Sequence, residues 1–117
     1  MPIITGKELA EKILQQITED PESHNQDIWA TTSGYSECGT VACIAGWAVE
    51  FNRNEGEGKY RALERLGAEL NADPWYDSVG RELLGLGSAA AADLFYIPGN
   101  RPARRKLAEL FGLPDPE

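Results

Sequence analysis

From Ala42 to Val49 the chain carries no charged side chain, and this run constrains the fold more than any other. Val41, Ile44, Ala45 and Ala48 share one helical face while Trp47 and Phe51 overlap onto another. That pattern predicts a helix over about 41–52, apolar nearly all the way round until Glu50. Such a helix must be covered on every side, so it belongs at the centre of the domain. Gly46 in its middle costs about 1 kcal/mol against alanine, a cost offset if a neighbour packs directly on the bare backbone. Thr40 reads as the N-cap, its hydroxyl free to accept from a backbone N–H two or three residues on, which places Cys43 in the first turn.

Around this helix the apolar spacing predicts five more. Thr5 followed by Glu8 is a capping box, and Leu9, Ile13 and Ile17 with Leu14 form a stripe over 6–19, ended by Pro21. A long crossing follows through Ser36, with Ile28 and Trp29 as an apolar anchor and room for one short helical turn. Tyr60, Leu63, Leu66 and Leu70 predict a helix over 58–71. Asp77 or Ser78 caps another through Leu84, and Ser88 caps an alanine-rich one to Phe95 or Tyr96. Asn100 caps the last, with Pro102 tolerated in its first turn and Phe111 at its end. No strand pattern, repeat or low-complexity tract competes. The class is all-α: a single domain over 1–117 of about six short helices around a central apolar one. A chain of 117 residues buries about two-thirds of its unfolded surface. Hydrophobic residues at 42% and charged residues at 26% are globular values.

Net charge is −8, and residues 1–60 carry ten acids against four bases. Such a surface repels phosphate backbones, because nucleic-acid affinity rests on counterion release by Lys and Arg. It suits approach to a basic partner surface. Arg101, Arg104, Arg105 and Lys106 on the last helix superficially suggest helix-turn-helix DNA recognition, but four cations make a modest footprint in an acidic chain. Nucleic acid is therefore disfavoured as a partner. Residues 1–12 lack a basic, apolar leader pattern, and no apolar run approaches the roughly 20 residues of a membrane span. The expectation is a cytoplasmic protein with reduced cysteines.

Cys38 and Cys43 are the natural place to seek chemistry, since both fall near the positive end of a helix dipole, where a thiolate is favoured. A cysteine peptidase needs a histidine base downstream of its nucleophile. The only histidine, His24, lies upstream in a polar loop and reads as solvated. A disulfide across so short a loop would add only about 2 kcal/mol. For zinc, His24, Cys38 and Cys43 could be completed by Asp27 or Glu37, yet no local pair such as Cys-x-x-Cys fixes two ligands. The simpler reading makes Cys43 a small buried hydrophobe and Cys38 a helix-entry residue. Gly85-Leu86-Gly87 lacks the glycine and lysine of a phosphate loop. No cofactor, resident metal or catalytic residue is called for, and the chain is expected not to be an enzyme. Trp75 and Tyr76, beside Asp73, Pro74 and Asp77, form the candidate contact with a protein partner, since Trp and Tyr dominate binding hot spots.

The run Cys38-Gly39-Thr40-Val41-Ala42-Cys43-Ile44-Ala45-Gly46-Trp47-Ala48, with Trp29 before it and Leu84-Gly85-Leu86, Ala92, Leu94, Phe95 and Tyr96 after it, resembles small uncharacterised proteins of actinobacterial bacteriophages and related bacterial genomes. The likeness covers about half the chain. It implies a phage or mobile-element setting, where small acidic proteins act by binding and blocking a host protein, and it implies no activity. A thiol or zinc site at Cys38 and Cys43, and a DNA-binding regulator, stand as alternatives.

Overall fold

The computed structural model describes residues 3–25, 31–32, 40–97 and 99–114. Within them lie α1 (Gly6–Glu19), α2 (Ile44–Glu50), α3 (Lys59–Leu70), α4 (Tyr76–Leu84), α5 (Ser88–Phe95) and α6 (Asn100–Phe111), with a 3-10 turn at Pro21–Ser23. The architecture is all-helical, a six-helix globule. A minimal ladder, absent from the expectation, pairs β1 (Thr31–Thr32) antiparallel with β2 (Thr40–Val41), Thr31 opposite Val41 and Thr32 opposite Thr40.

α2 is the axis. Its residues from Ile44 to Val49 are all buried, and it lies against α1, α3, α4 and α5, above all α4. One core joins these to Leu9, Ile13 and Ile17 of α1, Leu63 and Leu66 of α3, Val79 and Leu83 of α4, Leu94 of α5 and Leu107 of α6. The close approach falls on Gly80 of α4: a Cβ there would meet the Ala45 Cβ at 3.2 Å and the Phe95 ring at 3.3 Å. The bare backbone that seats α4 against α2 thus documented is Gly80, which periodicity did not single out.

α2 is shorter than its apolar run suggests, and Thr40 is not its cap. Thr40 and Val41 lie in β2, and Ala42 is held extended because its N–H donates to the Ser23 carbonyl (2.9 Å) while its own carbonyl accepts from Asn25 N–H (3.1 Å). Helical winding can begin only beyond these bonds. Cys43 is therefore the N-cap, with φ −75° and ψ 178° and its Sγ accepting from Gly46 N–H at 3.4 Å.

The other expected caps also shift. Trp75, Gly87 and Gly99 occupy the N-cap positions of α4, α5 and α6, and none of them makes a side-chain cap bond. Thr5 is the N-cap of α1, but its hydroxyl makes no cap bond, so the capping box with Glu8 is not formed. Asp77 sits inside the first turn of α4, where its charge still complements the dipole, and its Oδ1 accepts from Ser78 N–H at 2.7 Å. Asn100 turns inward instead, donating from Nδ2 to the His24 carbonyl at 2.8 Å.

Tyr60, assigned to the buried stripe of α3 from its spacing, is 60% exposed. The buried face is centred on Ala62, Leu63, Leu66 and Gly67, and at 3.6 residues per turn Tyr60 lies roughly a quarter turn off that centre. Among the described residues no helix is long and apolar enough to cross a membrane.

Candidate functional site

Two places were candidates for function, and the fold treats them oppositely. The first is the start of α2. Cys43 is buried, and burial raises its thiol to about 11, outweighing the backbone N–H of Gly46 that works the other way. The dipole argument for a thiolate fails here because desolvation is the larger effect. His24 is not a solvated loop residue: it is 2% exposed and bridges in parallel to Ala42. The whole turn around it is sewn into the core. Trp47 Nε1 donates to the Ser23 carbonyl at 2.8 Å, Ser23 Oγ donates to the Asp20 carbonyl at 2.6 Å, and Gln16 Nε2 reaches Ser23 Oγ at 3.3 Å. A polar stretch that reads as loop is thus buried with its backbone satisfied by β-type pairing and by an indole. Among the described residues no three His, Cys, Asp or Glu side chains are grouped to hold a metal. Cys38, Asp27, Glu37 and Trp29 lie outside the described residues.

The second place is the start of α4. Of the expected contact residues, Asp73 and Trp75 are exposed, the latter by 41%, and Asp77 is half-buried, but Tyr76 is 2% exposed. Tyr76 is a correction: as the first residue of α4 its ring turns into the core, meeting Trp75 edge-on with ring centres 5.3 Å apart. Burial, with the nearby Glu50 carboxylate, pushes its phenol up to about 12, and Tyr60 and Cys43 add to the shift. Tyr76 therefore links the sealed centre to the rim.

What replaces Tyr76 on the outside was not read from sequence. The exposed large hydrophobic residues among those described are Tyr60, Trp75 and Tyr96, the last 61% exposed. Two of them meet at this turn. Trp75 precedes α4 and leans on Tyr76, and the Tyr96 hydroxyl donates to Asp77 Oδ2 at 3.1 Å, while Tyr60 lies in the first turn of α3. Burial and the Asp77 carboxylate both hold the Tyr96 phenol above its ordinary value. Lys59 Nζ lies 5.4 Å from the centre of the Tyr60 ring, a cation over an aromatic face at the start of α3. Behind Tyr96, Asp77, Ser78, Arg81, Ser88 and Phe95 line a cleft of about 190 Å³, across which Arg81 Nη1 donates to Ser88 Oγ at 2.8 Å. The chemistry on offer is aromatic area edged by carboxylates.

The α6 cations sit at Arg101, Arg104, Arg105 and Lys106, with Lys106 3.8 Å from Glu109. α6 is packed on α1 and α5, and its first residue is tied to His24, so its N-terminal turn is fastened to the core. No protein-family model, curated protein or solved structure matches the chain.

Proposed function

We propose that this chain is a non-enzymatic acidic binding protein that engages a protein partner through the rim of Trp75 and Tyr96 with Asp73 and Asp77. In the setting its sequence resembles, it is phage-encoded, works in the host cytoplasm and blocks or diverts a host protein, as an inhibitor or counter-defence factor. The observation that carries this reading is the pairing of the exposed Trp75 and Tyr96 at one helix start, Trp75 as its cap and Tyr96 bonded to Asp77 in its first turn. Exposed aromatics with few rotatable bonds bind at low entropic cost and dominate hot spots. The flanking carboxylates and the net charge of −8 favour a basic partner surface and speed its approach.

The test is capture from an actinobacterial host lysate with wild-type protein and with a Trp75→Ala, Tyr96→Ala variant of unchanged thermal stability. A stoichiometric partner held by the first and lost by the second supports the reading. A chain that captures nothing while turning over or sequestering a small molecule contradicts it.

A further inference from the structure

A second surface stands apart from the α4 rim. Where α1 meets the end of α6, an apolar groove of about 330 Å³ is floored by Leu14, Leu113 and Pro114 and edged by Glu11, Thr18 and Glu19. Its floor is set by backbone geometry. Gly112 ends α6 at φ 64° and ψ 33°, and Leu113 N–H returns to the Ala108 carbonyl at 2.8 Å, the bond of a Schellman turn. That turn holds Leu113 against Leu14 of α1 without help from a ligand.

The charged side chains that line the groove have one sign. Glu11 and Glu19 are its charged lining residues, and among the described residues neither is in an ion pair. Elsewhere Glu57 and Glu69 are held by Arg65, Glu50 by Arg53 and Glu109 by Lys106. Gln15 Nε2 donates to Glu19 Oε1 at 3.3 Å, which steadies that carboxylate at the groove edge. The sequence beyond Pro114 adds Asp115 and Glu117, more acid still. The volume is at the lower end for ligand clefts, which fits one or two inserted side chains.

We infer that this groove docks a basic amphipathic segment of another protein, its apolar side chains on Leu14 and Leu113 and its lysines or arginines against Glu11 and Glu19. Charge complementarity selects this occupant. A second copy of the chain brings a further −8, and the chain's own continuation brings acid to acid. The inference does not depend on the α4 rim.

The probe is a short lysine-rich peptide with leucines along one face, titrated into full-length protein at low salt and followed by amide NMR. Saturable shifts at Gln15, Thr18 and Leu113 are expected, weakening as salt rises. Glu11→Lys with Glu19→Lys should weaken binding about tenfold or more, whereas Glu55→Lys with Glu64→Lys should change it less than about twofold. If the charge reversals do not fold, Thr18→Trp, which fills the groove, should abolish the same shifts. The inference is overturned if a glutamate-for-lysine peptide binds equally, if serine in place of leucine leaves affinity intact, or if the shifts fall at Trp75 and Tyr96. It is equally overturned if the groove residues shift with protein concentration alone, or if no saturable shift occurs.

Discussion

The start of α2 and the start of α4 are built from similar materials, a helix terminus with polar and aromatic neighbours, yet one is sealed and the other open. At α2 the cap is Cys43, 1% exposed, and its surroundings are backbone pairing with residues 23–25 and the Trp47 indole. At α4 the cap is Trp75, and Tyr96 closes over Asp77 from outside. The residue that looks reactive in the sequence is thus architecture, while Tyr76, expected outside, is core and Trp75 beside it is exposed.

The contrast breaks most visibly if the sealed side tolerates damage. Trp47→Ala removes a buried ring that also satisfies the Ser23 carbonyl, and should cost about 3–5 kcal/mol in denaturant unfolding. Trp75→Ala, which removes a part-exposed ring in edge-on contact with Tyr76, should cost only about 1 kcal/mol in the same assay. Comparable losses at both would erase the distinction.

Gly80→Ala tests the packing that seats α4, and so the rim, on α2. The added methyl would press on the Ala45 Cβ at 3.2 Å and on the Phe95 ring at 3.3 Å, with the Ala45 Cα of the buried α2 backbone also at 3.3 Å. A loss of about 1–3 kcal/mol is expected.

Alkaline titration sharpens the sealed side. The unfolded thiol ionises near 9.0 and the folded one near 11, so the protonated form favours the native state. The contribution is intact below pH 9.0 and is lost as pH rises towards 11, a drop on the order of 3 kcal/mol. Tyr76, raised from 10.0 to about 12, adds a further decline higher up. Cys43→Ala should flatten the curve just above pH 9.0 and leave the Tyr76 decline. A wild-type curve already flat there would mean the thiol is not desolvated.

The smallest effect lies in the connector before α3. Arg65, in a bidentate grip at 2.9 Å, and the Asn54 N–H hold the partly buried Glu57 carboxyl down to about 2. Its contribution is present above pH 4.5 and fades as pH falls through about 2. An NMR titration should show Glu57 returning towards the ordinary glutamate value in Arg65→Gln.

How much of this was legible follows from which forces act locally. The helices at 6–19 and 59–70 were readable because Leu9, Ile13 and Ile17, and Leu63 and Leu66, repeat at helical spacing and are buried. The start of α2 was not. Thr40 has the right chemistry for a cap, but the ladder with Thr31–Thr32 and the bridge to His24 are long-range pairings that override it. His24 read as solvated for the same reason, since its burial is imposed by Ala42 and Asn100, distant in sequence. At the rim, Trp75 and Asp73 were accessible to composition reasoning, whereas Tyr96 joined them only through its bond to Asp77 across nineteen positions. A signal for Tyr60 was present in its quarter-turn offset from Leu63 and Leu66, which an angular count finds and a spacing list misses.

The affinity of the captured partner for two variants side by side separates a sealed interior from a working rim. Trp75→Ala should weaken binding by about 2 kcal/mol or more, and Cys43→Ala, if folded, should bind as wild type does. Binding that survives the loss of Trp75 and fails with the loss of Cys43 would contradict the account.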